Sequence, residues 1–405
     1  MEIREKGEGL LSGIRILDLA DEKASFCSKL LADLGAYVIK VEKPGGDPSR
    51  RIGPFIGNSP HPEKSLFFCY NNTNKLGITL NLENKAGNEI FLRLARRSDV
   101  VIETFPPGFL SDLGLGFEVL SGVNPKLILA SITGFGQYGP RSQYKACDIV
   151  ASAFGGQMYV SGSSSTSPLK PFGEQSYYTA SLFAAIGILL ALRKRAETGK
   201  GEQIDISLQE AVASTLEHVM IRYFYEKIVS KRQGNLHWNN SFCILPCKDG
   251  FILVSLSQQW ETLVEWMEGE GMAEDLKDKN YDEEAYRLGR IDHIIEILQR
   301  WTKTHTTHEL FELGQLMRFP WAPICSPKEI PDNPQLKARG FFVNVDHPEM
   351  GTSIKYPGAP YKLSISSPNR WKRAPSVGED NRQVYKEDLG LSEEELIRLS
   401  SIGVI

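Results

Sequence analysis

The stretch from Pro168 to Gln209 constrains the fold of this chain more than any other. Between Tyr177 and Leu192 almost every side chain is apolar or small, so the segment reads as a helix that is hydrophobic all round and buried in a sizeable core. Its apolar run stops at Arg193, too short for a bilayer, and no membrane association is expected. The basic turn Arg193-Lys194-Arg195 suits the negative end of a helix dipole, and Thr198-Gly199-Lys200-Gly201 supplies the backbone freedom that ends the helix. Ile204, Ile206 and Leu208 then alternate with polar residues, as in a half-buried strand. A second helix is expected next, with Ala211, Val212, Thr215, Leu216 and Val219 on one side.

The part of the chain before this segment alternates strands and helices. Ile14 to Leu19 reads as a strand, Ala24 to Leu34 as a helix and Ala36 to Glu42 as a second strand, a βαβ unit that implies a parallel sheet with right-handed crossovers. Strands at Gly77 to Leu82, Asp99 to Glu103 and Lys126 to Ile132, with a helix at Lys85 to Arg97, extend it to a doubly wound, Rossmann-like α/β domain. Gly134-Phe135-Gly136-Gln137-Tyr138-Gly139 satisfies G-x-G-x-x-G, but Pro140 and a polar stretch follow where a dinucleotide fingerprint needs a helix. It also lies on the wrong turn, because the first strand ends at Asp18-Leu19-Ala20 without a glycine.

With 405 residues, 41% of them hydrophobic and 24% charged, the chain has core enough for two or three domains. A formal charge of -4 gives no basic footprint for nucleic acid. The charged opening Met1 to Leu10 does not resemble a signal peptide, and the six scattered cysteines read as reduced thiols of a cytoplasmic protein. Cys243 and Cys247 form a single C-x3-C without a second pair, and His305 and His308 an H-x-x-H without the rest of a zinc motif, so no metal is expected. The two histidines read instead as capping and opening a helix at Thr307. Trp238, Trp260, Trp266 and Trp301 read as core or subunit contacts.

The helix, TGKG turn and IDISLQEA closely resemble the signature of the class III (CaiB/BaiF-type) CoA-transferases. AYVIKVEKPGGDPSR, Asn74-Lys75, Thr104-Phe105-Pro106-Pro107-Gly108 and SITGFGQYGP stand where that family has loops that contact CoA. By resemblance Lys43, Leu80 and Phe105 fall on adenosine-contact positions, and Thr133 and Phe135 on a loop near the pantetheine. Further on, Phe319 to Ile324, Asn333 to Phe342 and LGLSEEELIRLSSIGVI follow the family's C-terminal pattern, the last with a capping box at Leu391 to Glu395. The resemblance implies a large domain in residues 1–225, a small α+β domain in 226–330 and a return segment in 331–405. It also implies a ring-shaped subunit interlocked with a partner across a large interface.

The departures from the family pattern share a direction. Where the family keeps its nucleophilic aspartate this chain has Tyr177, flanked by Gln175, Ser176 and Tyr178, with Glu174 three residues upstream as the possible substitute. At neutral pH a carboxylate is ionised whereas a tyrosine is roughly 0.1% phenolate. Asp112 and Glu83 stand where relatives carry basic residues, and each reversal turns attraction for a CoA phosphate into repulsion of about 1 kcal/mol or more. The turn after the first strand is reduced to Lys23-Ala24-Ser25-Phe26, and Cys147-Asp148 replaces the His-Asp of the family's racemases.

The expectation is therefore a non-nucleophilic subunit of a heteromeric CoA-transferase, moving CoA between a thioester such as succinyl-CoA and an acid such as benzylsuccinate. An Asp-bearing paralogous subunit would supply the nucleophile and bind most of the CoA thioester, which is a substrate; no tightly bound cofactor is expected. Two alternatives stand beside it: an inactive homodimeric binding or regulatory protein, and a homodimeric transferase that uses Glu174.

Overall fold

The computed structural model describes residues 9–256, 258–364 and 371–405, so the first eight residues of the charged opening lie outside it. The chain forms two compact units, one of Met1–Gln157, Lys170–Ile221 and Ala338–Ile405, the other of Met158–Leu169 and Arg222–Lys337.

The first unit is built on a six-stranded parallel sheet. In chain order its elements are β1 (Arg15–Leu19), α1 (Ser25–Asp33), β2 (Tyr37–Glu42), α2 (Leu66–Asn71), β3 (Leu76–Thr79), α3 (Lys85–Arg96) and β4 (Val100–Glu103). There follow α4 (Phe109–Asp112), α5 (Phe117–Val123), β5 (Ile128–Thr133), α6 (Asp148–Phe154), a single turn α7 (Gln157–Val160) of which all but Gln157 belongs to the second unit, α8 (Gln175–Thr198), β6 (Gln203–Ser207) and α9 (Leu208–Ser214). The sheet order is β3-β2-β1-β4-β5-β6, so the winding reverses between β1 and β4. Strand side chains alternate between faces: Ile16, Val38, Val100 and Ile128 join a core with α1, α6, α8 and α9, whereas Leu17, Ile39, Val101 and Leu129 join a core with α3, α5 and residues 384–404. Burial on both faces is why these strands are largely apolar rather than strictly alternating. The loop carrying G-x-G-x-x-G has no helix before α6, so it lacks the helix N-terminus that a pyrophosphate would need.

Two expectations for the central segment are corrected. The helix α8 runs through the basic turn to Thr198 and closes on Gly199 in the left-handed region (φ 70°), so it is long and apolar enough by length and composition to cross a membrane. It is also not buried all round. One face, with Tyr177, Ala180, Ala184, Ile188 and Ala191, lies on the sheet, where alanines allow close approach; the other leaves Leu182, Phe183, Ile186, Leu189 and Leu190 exposed. The single helix expected after β6 is two, because α9 ends at Ser214 and Glu217 turns left-handed (φ 43°) before a new helix at Val219–Glu226.

Beneath the first turns of the sheet lies a lattice of buried ions. Lys75 Nζ reaches Asp18 at 2.9 Å, and both side chains are fully buried. The same ammonium donates to Ser25 O, Ser28 Oγ and Asn72 Oδ1 at 3.0, 2.8 and 2.8 Å. Lys40, paired in register with Asp18, reaches Asp47 at 3.1 Å and donates to the Ala20 carbonyl. Arg50 grips Glu42 through two bonds of 2.7 Å and lies over the Phe68 ring. Burial drives the pKa of Lys75 down to about 8, with Lys40 adding to the effect. For Lys40 burial acts in the same direction, but Asp47, Asp18 and Glu42 outweigh it and hold its pKa above the usual range.

The first unit also contains an antiparallel hairpin of Phe342–His347 and Thr352–Pro357, and a terminal helix Glu393–Ser401 opened by a Ser392–Glu395 capping box. In the second unit, strands Phe242–Pro246, Phe251–Ser255 and Ala322–Pro323 form an antiparallel sheet. Around it the helices Trp260–Gly269, Ile291–Thr302 and Thr307–Leu316 enclose a core with Trp260, Trp301 and Trp321. The histidine capping expected here is corrected: Thr306 and Glu309 form the box, His305 bonds Glu270, and His308 is exposed. Trp238 is exposed rather than part of this core.

Removing one partner of a buried ion pair strands the other. Lys75→Met is expected to lower unfolding stability by about 3–5 kcal/mol, and Asp18→Asn combined with Lys75→Met by less than the two single changes added. Urea denaturation of the three variants checks this.

Candidate functional site

In an open parallel sheet, ligands meet the carboxyl ends of the strands where the winding reverses. Here that place is the pair of turns after β1 and β4. Thr104 Oγ1 accepts from the Asp21 backbone N–H at 3.0 Å and donates to its carboxylate at 2.8 Å, tying the two turns together. Glu103, the last residue of β4, is buried and accepts from the Phe105 backbone N–H at 2.7 Å. Burial raises its pKa to about 7, against the hydrogen bonds from Ser131 and Phe105 that lower it.

The residues assigned to CoA contact by resemblance stand along this same strand edge. Lys43, just past β2, is exposed and paired with Glu83 at 2.7 Å. Leu80, just past β3, is 1% exposed, with its side chain in the core. Phe105 is half-buried and packs on Phe109. Thr133 ends β5 buried, its hydroxyl without a partner among the described residues. Phe135 meets Phe154 and Tyr144 edge-on at centroid distances of 5.4 and 6.4 Å. Asp112 is exposed at the end of α4.

Tyr177 sits in the first turn of α8 and is 6% exposed. The segment is anchored by Asp148 at the start of α6, which accepts from the Ser176 N–H at 2.8 Å and pairs with Lys170 at 2.8 Å. Burial, reinforced by the charge of Glu22, pushes the Tyr177 phenol well above its ordinary pKa; the Asp148 backbone N–H pulls weakly the other way. Beside it Glu22, Phe26, Phe67, Asn71, Glu174, Tyr178 and Ser181 close around a narrow pocket that leaves no room for a water molecule.

Glu174 thus lies in the same pocket as the residue it was weighed against. It precedes α8 as its N-cap residue without a side-chain capping bond. Its pKa is raised, first by burial and then by Asp148 and Glu22. Glu22 was not foreseen. It follows β1 in the shortened turn and its pKa is raised, first by burial and then by Asp21. The only sequence signal was an acidic residue just past the first strand of a doubly wound sheet.

The comparisons with known proteins agree along the whole chain. A family model described as CoA-transferase family III matches residues 11–381. Succinyl-CoA:(R)-benzylsuccinate CoA-transferase subunit BbsE of Thauera aromatica is 34% identical over 385 residues, 93% of each chain. The beta subunit of succinyl-CoA–L-malate CoA-transferase of Chloroflexus aurantiacus is 33% identical over 402 residues, 98% of each chain. A solved CaiB/BaiF family protein from Brucella suis superposes with a TM-score of 0.84 at 29% identity, over 94% of this chain and 99% of that one. The six-stranded parallel sheet with smaller antiparallel sheets matches the fold of that protein.

Glu103 yields a pH signature. The folded state keeps its proton up to about pH 7, while the unfolded chain releases it near the ordinary carboxylate value of 4.5, so its contribution to stability falls as pH rises between the two. Glu103→Gln is therefore expected to gain up to about 3 kcal/mol over the wild type at pH 8 and to lose that advantage by about pH 4. Chemical denaturation at the two pH values checks it.

Proposed function

The chain belongs to CoA-transferase family III, and we propose that it serves there as the non-nucleophilic subunit of a heteromer. The heteromer would move CoA between a CoA thioester such as succinyl-CoA and a carboxylic acid such as benzylsuccinate. The observation that carries this reading is the buried phenol of Tyr177 at the position where the resemblance puts the nucleophile. The family's chemistry has a carboxylate oxygen attack the thioester carbon; the C–S bond breaks, CoA leaves as the thiolate and a mixed anhydride forms. Tyr177 is held protonated by its surroundings and offers no anion for that step. A sister chain would supply the aspartate and most of the CoA contacts, in keeping with Lys43 being tied to Glu83 in this one.

The outer face of α8 supports a partner. Leu182, Phe183, Ile186, Leu189 and Leu190 form one apolar stripe, each about half exposed, and covering what remains is worth roughly 0.5–1.5 kcal/mol each. An interlocked sister chain is the proposed cover, and both similar transferase chains described above are themselves named as subunits.

A second reading has an observation in its favour: Glu174 lines the pocket beside Tyr177, so a homodimer using that carboxylate is the competing account. Activity separates them. Expressed alone, this chain is expected to transfer no CoA from succinyl-CoA; co-expressed with an Asp-bearing paralogue it is expected to form an active complex. In that complex Tyr177→Phe should change kcat by less than about threefold, whereas alanine at the paralogue's aspartate should cost at least about a thousandfold. Transferase activity of the lone chain, abolished by Glu174→Gln, would overturn the proposal.

A further inference from the structure

The loop that leads into α8 is wound around a cation. Lys170 Nζ pairs with the Asp148 carboxylate at 2.8 Å, donates to the Pro171 carbonyl at 3.1 Å and donates to the Gly173 carbonyl as well. These three acceptors take up all three N–H donors of the ammonium. The carbonyl between them, that of Phe172, accepts from the Gln175 side-chain amide at 3.1 Å. Gly173 turns the chain in the left-handed region (φ 77°), where any side chain would be strained. The backbone of Pro171-Phe172-Gly173 is therefore held at every carbonyl, and what it presents is a phenyl ring 99% exposed. A single apolar side chain on a surface is ordinary. One whose backbone is fixed by a saturated ammonium and a left-handed glycine has had its freedom removed in advance, which lowers the entropy lost when the ring meets a partner.

The place of the loop says what the ring meets. Gln175, which holds the Phe172 carbonyl, is exposed, and Thr179, Leu182, Ile186 and Leu189 follow it along α8 at intervals of three or four residues, so all lie on one side of the helix. Phe172 thus stands at the head of the apolar stripe on the outer face of α8, and a surface that covers the stripe reaches the ring. With its three carbonyls engaged internally, the loop tip recognises through the ring alone, and the complement of a lone phenyl is an apolar recess. Aromatic side chains in such recesses dominate association energies, because they bury a large area and have only two torsions to fix. We propose that Phe172 is the anchor by which this chain docks on its sister transferase chain, its ring seated in an apolar recess of that chain while the same surface covers the outer face of α8. The inference rests on the heteromeric reading given above and adds to it the side chain on which the association turns.

The test is the dissociation of the complex between this chain and an Asp-bearing paralogue, followed by dilution and analytical ultracentrifugation. Phe172→Ala is expected to raise the dissociation constant or the dissociation rate at least about tenfold, as removal of one docked phenyl should. The melting temperature of the lone chain should stay within about 2 °C, because so exposed a side chain has little packing to lose. Ile397→Ala, which trims an exposed apolar side chain on the opposite side of the sheet, is expected to change dissociation less than about twofold. In Phe172→Trp the emission of the added indole, taken as the difference from the wild type, should be that of a solvated indole in the lone chain and shift to the blue on addition of the paralogue. A complex that forms with Phe172→Ala as tightly as with the wild type, an equal loss in Ile397→Ala, or an indole at position 172 that stays solvated in the complex would overturn this inference and leave the heteromer standing. Failure of the wild-type chain to form any complex with the paralogue would overturn both.

Discussion

The buried ion lattice around Asp18 is the constraint on which the rest of the first unit depends. Taking Asp18, Lys75, Lys40, Glu42 and Arg50 out of water costs more than a single pair returns, so each ion needs several partners, and each has them. Those partners belong to different pieces of chain: the end of β1, the start of α1, the loop after β2 and the residues following α2. By satisfying one another they fix where the β1 turn leaves the sheet, and so where Asp21 and Glu22 stand. Arg50 extends the tie to the return segment through the Pro375 carbonyl at 2.8 Å.

On that framework α8 links fold and function through its two faces. The alanine face lets the helix lie close to β5 and β6 and carries the first turn, with Tyr177, to the edge of the core near the β1 turn. There the surroundings suppress ionisation rather than promote it. Glu22, Glu174 and the Tyr177 phenol all have pKa values raised mainly by burial, which is opposite to what an anionic nucleophile requires. The site as built favours the neutral forms of these groups. The apolar outer face of the same helix faces away from this core.

Much of the fold was legible because its signals are local. β-branched runs mark β2 and β4, and the Ser392–Glu395 box opens the last helix. The identity of the fold came from motif spacing. What could not be read depends on distance or on faces. Lys75 and Asp18 lie 57 residues apart, and no periodicity announces that they meet. Both faces of α8 are apolar, so no pattern distinguishes the one against the sheet from the one left open. Nor does any glycine or proline mark the break near Glu217. Of the site, Tyr177 and Glu174 were found through the family signature, whereas Glu22 sits in a turn that departs from it. Its role appears only once β1 and α8 are brought together.

The central claim is that this chain carries no acyl-accepting carboxylate of its own. Its most direct test is to quench the active complex during turnover of succinyl-CoA, trap the acyl-enzyme with hydroxylamine or borohydride, and map the modified residue by peptide mass spectrometry. The account predicts modification on the aspartate of the sister chain and none on this one. A trapped adduct at Glu174 or Glu22 would contradict it.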